Sequence, residues 1–409
     1  MQALISFPAK IEDFISLCPG VVEGTAIGIA GKRQGEAIEV FVVKNDPALT
    51  EEDISAYCKQ HLTGYIRPNY IEFRDALPKT NVEKILRRAL RATTCTKPDG
   101  FLLMAMHALP AGMHVFERGW LSSNCVLFTG GDNTLLIDSG YCTHSEQTLS
   151  LVEGVLGSHP LDVLVNTHLH SDHCGGNAAL QARYRAIQTL IPPGHAREVA
   201  QWDAQALTYV PTGQRCPRFG FDQTLRPGTE IRIGTADWQI HTASGHDPNS
   251  VIFFEPANSI LVSADALWEN GFGVVFPELE GANAFSDVAV TLDLIARLNP
   301  KTIIPGHGRI FSYTPETLSK AHQRLDAFIA NPVRHARHAV KVLLKFKLLE
   351  VQRQLTAEFT QWATTTPYFQ QIRERFFPDM PMHLWIEQLC EELATAGAAR
   401  KEGEYILNS

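Results

Sequence analysis

The sequence predicts a mixed α/β (α+β) protein in three parts: a small α+β unit over residues 1–96, a larger unit of alternating strands and helices over 97–315, and a helical region over 316–409. Three observations carry this reading. Through the middle of the chain, apolar runs of strand length alternate with stretches of helical periodicity. The polar stretch Ala92 to Gly100, with Thr93, Thr94, Lys97 and Pro98, separates that middle from a self-contained N-terminal pattern. Beyond Thr314, apolar residues recur at helical spacing through Leu318 to Ile329, Val340 to Leu355 and Leu384 to Leu393.

Composition limits the function classes. A hydrophobic content of 44% with 20% charged residues in 409 positions is that of an ordinary globular chain with ample material for a core. The net charge of -8, without a long basic stretch, excludes nucleic acid as a partner, since phosphate binding needs clustered Lys and Arg. The basic residues between Arg334 and Lys347 fall at helical spacing and read as a solvated helix face. Eight Cys without a C-x-x-C pair fit free thiols in a reducing compartment. No stretch approaches the ~20 apolar residues of a membrane span and no signal-like N-terminus stands out, so no membrane partner and a cytoplasmic location are expected.

Taken in order, the first unit reads as a helix from Ile11 to Leu17, strands at Thr25 to Ile29 and Ile38 to Val43, a helix from Thr50 to Gln60, and a strand at Tyr70 to Phe73. Thr50 with Glu51 and Glu52 behind it supplies the start signal of the second helix. The segments Ser6 to Glu12, Gly35-Glu36-Ala37 and Pro78-Lys79-Thr80 to Arg88 closely resemble the small C-terminal domain of acyl-CoA synthetases and other adenylate-forming enzymes. In that family the lysine at the position of Lys84 moves over a large ATP-binding domain to stabilise the acyl-adenylate transition state. Here Glu83 stands where the family usually has Gly, and no large nucleotide-binding domain accompanies the unit. The resemblance therefore implies an origin, or a docking role toward an adenylating partner supplied in trans, rather than adenylation by this chain alone.

The middle unit is organised around Thr167-His168-Leu169-His170-Ser171-Asp172-His173-Cys174-Gly175-Gly176. The apolar run Val163 to Val165 delivers this decapeptide from a buried strand, and the Gly pair opens a helix. His168 and His170 leave the last extended residues on one side, whereas Asp172 and His173 come from the turn, a geometry that suits two metal ions. Neutral imidazole is a good zinc ligand, and a carboxylate adds the negative charge that holds a second divalent ion close by. A His-rich surface loop is the plainer alternative. Against it stand the flanking strand and helix and a supply of further ligands downstream: His246 after Gly245, Asp265 after the strand Ile260 to Val262, and His307 in Pro305-Gly306-His307-Gly308 after Thr302 to Ile304. Each lies just past a strand end, where loops converge without disturbing a core. The remaining elements read as strands at His114 to Phe116, Cys125 to Phe128, Thr134 to Ile137, Ala186 to Ile191, Ile231 to Ile233, Trp238 to His241 and Ser250 to Phe254, with helices at His144 to Leu156, from about Gly194, and at Ala284 to Leu298.

This order of motifs resembles the metallo-β-lactamase fold over about residues 101 to 315. The resemblance implies an αββα sandwich, two packed sheets with helices on their outer faces. Carried over position by position, it places His168, His170 and His246 on a first metal and Asp172, His173 and His307 on a second, with Asp265 bridging. Asp138, after the strand ending at Ile137, would support the metal loop from outside. Cys174 reads as structural, and His195 and His241 either face the cleft or play a bland surface or core role. Trp268 to Phe276 is either a mobile apolar wall for substrate or a loop packed under the sandwich. The C-terminal helices either cover the cleft or form a homodimer surface.

Two divalent ions, zinc being the expected pair, lower the pKa of a shared water and polarise a carbonyl, while Asp172 or Asp265 accepts or passes on the proton. A hydrolase acting on an ester or thioester follows. The attached acyl-CoA synthetase-like unit points to a small-molecule acyl thioester, as in glyoxalase II-like members of the fold. The alternatives are a lactonase, a mononuclear iron persulfide dioxygenase, and a scaffold for an adenylating partner.

Overall fold

A computed structural model describes residues 15, 18–29, 37–61, 68, 70–74, 77 and 109–409, and the chain divides into two compact units, 1–106 and 107–409. The segments Ser6 to Glu12, Gly35-Glu36 and Pro78 to Arg88, with Lys84, and the stretch Ala92 to Gly100 lie outside the described residues.

In the first unit β1 (Val21–Ile29) runs antiparallel to β2 (Ala37–Lys44), and β3 (Tyr70–Phe73) joins β2 in parallel. The helix Glu51–His61 starts where Thr50 and Asp53 bond reciprocally: the Asp53 carboxylate accepts from the Thr50 N–H, and the Thr50 hydroxyl accepts from the Asp53 N–H. Val40 and Val42 of β2 pack with Ile54 and Cys58 of the helix, which is the small α+β arrangement the sequence predicts.

The second unit is a sandwich of two six-stranded sheets. The first contains, in spatial order, β4 (Met113–Phe116), β5 (Cys125–Phe128), β6 (Leu135–Ile137), β7 (Val163–Val165), β8 (Gln188–Ile191) and β9 (Gln223–Thr224). The second contains β10 (Glu230–Ile233), β11 (Ala236–Thr242), β12 (Val251–Glu255), β13 (Ile260–Ala264), β14 (Thr302–Pro305) and β15 (Phe311–Ser312). Strands β5, β6, β12 and β13 are covered on two faces, which is why their sequences are continuous apolar runs, whereas β10 and β11 alternate. In the continuous runs the alternation is spatial instead. Val126 and Phe128 point inward with Val165 against Trp238, Phe253 and Val262 of the other sheet, while Leu127, Leu136 and Leu164 point outward under Val152 and Leu156 of the helix Ser145–Leu156. On the opposite outer face Ile252, Leu261 and Ile303 meet Val288, Leu292 and Ile295 of the helix Ala284–Leu298. The layers are therefore α, β, β, α.

The C-terminal helices begin earlier than apolar periodicity alone suggests. Thr314 and Asn331 accept from the N–H groups of Thr317 and Arg334, each followed by Pro at the first helical position, and so start the helices Pro315–Ala330 and Pro332–Val351. The second ends at Gln352 with φ 61°, so the predicted continuation to Leu355 is instead β16 (Arg353–Leu355). This strand pairs with β18 (Tyr405–Asn408), which pairs in turn with β17 (Ala399–Glu402), giving the helical region a small antiparallel sheet. Polar sequences such as Ala399-Arg-Lys-Glu carry too little apolar patterning to announce strands of this length. The helices Thr356–Thr365, Pro367–Phe376 and Met382–Thr395 complete the region around Phe359, Phe369 and Trp385. Among the described residues no helix is long and apolar enough to cross a membrane.

Candidate metal centre

Five strand ends deliver the site. From the first sheet, β6 leads to Asp138 and β7 to the decapeptide; from the second, β11 leads to the His246 turn, β13 to Asp265 and β14 to His307. Two of the delivering backbones are strained, since Asp138 (φ 58°) and Ala264 (φ 45°) are non-glycine residues in the left-handed region. Such outliers cost ~1–3 kcal/mol and persist where the surroundings enforce them. At Ala264 the strain coincides with a register shift against β14, which turns Asp265 out of the sheet and toward the imidazoles.

His168 Nε2 lies 3.1 Å from His170 Nδ1, which is 2.8 Å from His246 Nε2. On the other side His307 Nε2 is 3.0 Å from Asp172 Oδ2, and His173 Nε2 is 4.0 Å from that oxygen. Asp265 stands between: its Oδ1 is 3.5 Å from His173 Nε2, and its Oδ2 is 3.3 Å from His246 Nε2 and 3.9 Å from His307 Nε2. The donor atoms of His168, His170 and His246 lie within 4.8 Å of one another, as do those of Asp172, His173 and His307 and those of His168, His173 and Asp265. The structure thus gathers all seven predicted residues at one place. His195 and His241 are not among these groups; they contact Asn249 and Gln239 instead. Cys174 is fully buried, its thiol 3.2 Å from the Tyr209 hydroxyl, and burial pushes its pKa well up.

These residues fit a metal, and His173 shows it best. Its Nδ1 donates to Asp138 Oδ2 at 2.8 Å, so in the neutral ring the Nε2 lone pair would face the carboxylates of Asp172 and Asp265; that buried nitrogen has no hydrogen-bond partner. Lone pair facing lone pair is repulsive unless a cation lies between them. Burial alone would lower the His173 pKa, yet Asp138 and Asp265 raise it well above the ordinary value, so this spot calls for positive charge. His168 and His170 go the other way: burial and the neighbouring imidazoles push His168 well below its ordinary value and His170 down to about 4. They are neutral near pH 7, as ligands must be. Burial opposes ionisation of Asp172 and Asp265, but the hydrogen bond from His307 and the His173 charge hold Asp172 low, and His307 and His173 hold Asp265 well below the usual carboxylate range.

Further residues orient the centre. Asp138 Oδ1 accepts the Thr167 N–H at 2.9 Å and Oδ2 the Thr167 hydroxyl at 2.8 Å, locking the strand end that carries His168. His246 Nδ1 donates to the Val274 carbonyl at 2.5 Å, and the N–H of the same peptide group, from Val275, donates to Nε2 of His335 at 3.2 Å. Burial, reinforced by His338 and Arg324, pushes His335 down to about 3, so it is neutral and free to accept. The loop from Trp268 to Phe276, one reading of which is a mobile wall, is pinned: Trp268 N–H donates to Gly271 O and Gly273 N–H to Asp265 O. Its side chains divide between both readings, with Phe272 and Val275 in the core and Trp268, Val274 and Phe276 lining the cleft.

Sequence reading missed Asn124, Asp247 and Trp120. Asn124 donates from Nδ2 to the carbonyls of Pro305 and Gly308 and so fixes the His307 loop; Asp247 sits 3.7 Å from His170 Nε2; and Trp120 stacks on His307 with ring centroids 5.5 Å apart. Asp247 follows His246 directly, and that adjacency was the available signal.

Asp138→Asn tests the support. An amide nitrogen facing His173 Nδ1 sets donor against donor and favours the tautomer that protonates Nε2. Metal affinity, read by chelator competition, should fall about ten- to a hundredfold; unchanged affinity would show that Asp138 does not set the His173 tautomer.

Two separate stretches of the chain match known families. Residues 118–307 match the Metallo-beta-lactamase superfamily and residues 10–84 the AMP-binding enzyme C-terminal domain. The first unit is similar to long-chain-fatty-acid–CoA ligases of Escherichia coli O6:H1, 50% identical over 93 residues, and of Haemophilus influenzae, 53% identical over 85 residues. These matches take in 23% and 21% of this chain and span only 17% and 15% of the ligases' own lengths. Among solved structures, a metallo-beta-lactamase family protein from Thermus thermophilus aligns over 74% of this chain and 99% of its own, at 17% identity and a TM-score of 0.44. A beta-lactamase domain protein from Burkholderia ambifaria aligns over 77% and 96%, at 19% identity and a TM-score of 0.44. The chain thus joins a stretch that matches the AMP-binding enzyme C-terminal domain to one that matches the Metallo-beta-lactamase superfamily, and the second stretch holds all seven His and Asp residues of the centre.

Proposed function

We propose that the chain hydrolyses an acyl thioester at a dinuclear zinc centre. The observation that carries this reading is a cavity of about 600 Å³ whose floor is His170, Asp172, Asp265 and His307 and whose walls are largely apolar. Phe276 lines it from the pinned loop, Val342, Leu343 and Phe346 from the helix Pro332–Val351, and Tyr368 from the helix Pro367–Phe376. An apolar chamber over polar floor groups suits an aliphatic acyl chain whose carbonyl reaches the ligands. The similarity of the first unit to long-chain-fatty-acid–CoA ligases supports the same substrate class.

When bound, two divalent ions would supply a nucleophile from water and polarise the carbonyl. His168, His170 and His246 would hold one ion, Asp172, His173 and His307 the other, and Asp265 would touch both. The Asp172 carboxylate faces the cavity and is placed to take up a proton. Trp120 and Trp268, with ring centroids 5.4 Å apart, shield the His307 side from water. The Trp268 indole donates to Asp265 Oδ1 at 3.3 Å, which holds that carboxylate in place.

Thiol release from straight-chain acyl-CoA thioesters, acetyl to palmitoyl, by the zinc-loaded full chain is the test. Release should favour longer chains and vanish in His170→Ala. No release at any chain length would sink the thioesterase reading.

A further inference from the structure

The cavity holds a guanidinium that the metal chemistry does not use. Arg324 projects from the helix Pro315–Ala330, and its stem crosses the backbone of Gly271, where φ is +125° and a Cβ would come within 2.7 Å of Arg324 Cδ. The guanidinium lies over the rings of Phe272 and Phe328, 5.6 and 5.2 Å from their centroids. Its Nη2 donates to His338 Nε2 at 2.8 Å, while its Nε is buried and has no hydrogen-bond partner.

Among the described residues no carboxylate comes within ion-pair distance of this charge. Glu269 and Glu280 line the same cavity but are exposed, and neither pairs with it. Burial lowers the Arg324 pKa, and the charge of another cation, Arg334, adds to that. His338 brings no counter-charge either, because burial and the nearby Arg324, Lys341 and Arg334 push it down to about 4 and leave it neutral. A half-buried cation kept among aromatic rings and other cations is costly unless an anion completes it.

We propose that Arg324 is an anion-binding residue of the substrate cavity, taking a carboxylate or phosphate carried by the substrate at a position separate from the metal ligands. A guanidinium presents a planar fork that matches two oxygens of either group, and the Arg324 side chain lines the cavity with its Nη2 held by His338. The inference rests on reading this cavity as the substrate pocket. It implies that the natural acyl compound is amphipathic, with a reactive carbonyl at the metal ligands, an aliphatic stretch along Leu343 and Phe346, and an anionic group at Arg324.

Calorimetric titration of the zinc-loaded full chain with propionate and, separately, inorganic phosphate tests this without requiring turnover. Arg324→Gln keeps most of the stem and its packing but removes the charge; Arg324→Lys keeps the charge without the fork. The Gln variant should bind one or both anions about ten- to a hundredfold more weakly than the parent, at equal zinc content. The Lys variant should recover part of that loss, and Lys320→Ala, which removes an exposed cation from the same helix, should lose nothing. Loss confined to propionate assigns a carboxylate, and loss with phosphate assigns a phosphate. Equal binding by parent and Gln variant, or the same loss in Lys320→Ala, overturns the proposal. Arg324-dependent binding without thioester hydrolysis would leave the subsite standing and remove the thioesterase reading; hydrolysis with Arg324-independent binding would do the reverse.

Discussion

On the proposed function, Asp265→Ala should take bound zinc from two ions per chain to one or none and lower thioester hydrolysis by more than the ~10–100-fold typical of outer partners of a metal ligand. The reason is geometric. Asp265 is the residue whose two oxygens face both halves of the centre, Oδ1 toward His173 and Oδ2 toward His246 and His307. Its removal leaves the buried His173 Nε2 without its nearest negative charge and takes from each ion a shared ligand. Metal analysis after gel filtration, run beside circular dichroism to establish folding, reads the outcome. A folded variant that retains two zinc ions would show that Asp265 does not bridge.

Gly306→Ala is the second large effect, and it comes from a single methyl group. Gly306 precedes His307, and its N–H donates to Ala264 O at 2.7 Å, pressing the β14 loop against the strained end of β13. A Cβ there would overlap Asp265 Oδ1 and reach 3.0 Å from His173 Cε1. Nothing soft can yield, because Asp265 is held by Trp268 and His173 by Asp138. Overpacking of this kind costs ~1–3 kcal/mol of stability. The larger loss is functional, since displacing the carboxylate that faces both halves of the centre by about an ångström costs on the order of 10²-fold in rate. Zinc content and hydrolysis should both fall while the melting temperature drops only a few degrees; parent-like zinc binding would mean that the loop relaxes freely.

What the sequence makes legible follows from the range of the interactions involved. His246, Asp265 and His307 stand out because each directly follows Gly or Ala just past an apolar run, a local signature of a strand end, and the decapeptide because three imidazoles and a carboxylate follow the run Val163 to Val165. The alternating sheet elements are legible for the same reason, as buried runs of three to five residues between turn signals. Asn124 is not, because its work is done on Pro305 and Gly308, more than 180 residues away. Arg324 and His335 look like ordinary polar positions on amphipathic helices, and only packing turns them toward the cavity and the metal loop. The helical region, read either as a cover for the cleft or as a homodimer surface, contributes the cavity walls through Val342, Leu343, Phe346 and Tyr368. The length and apolar spacing of its helices do not reveal that placement.

The peptide group between Val274 and Val275 carries a consequence for modularity. One of its ends accepts from the imidazole of His246, and the other donates to His335, two turns of chain that lie 89 positions apart and belong to the sandwich and to the helical region. A gene segment ending after β15 would encode both sheets and every candidate ligand, yet its product would leave the Val275 N–H without its acceptor and the cleft without its far wall. The helices are therefore a structural part of the centre, through the His335 acceptor and the cavity wall. They wall the cleft of the centre and belong to the same compact unit, 107–409, as both sheets.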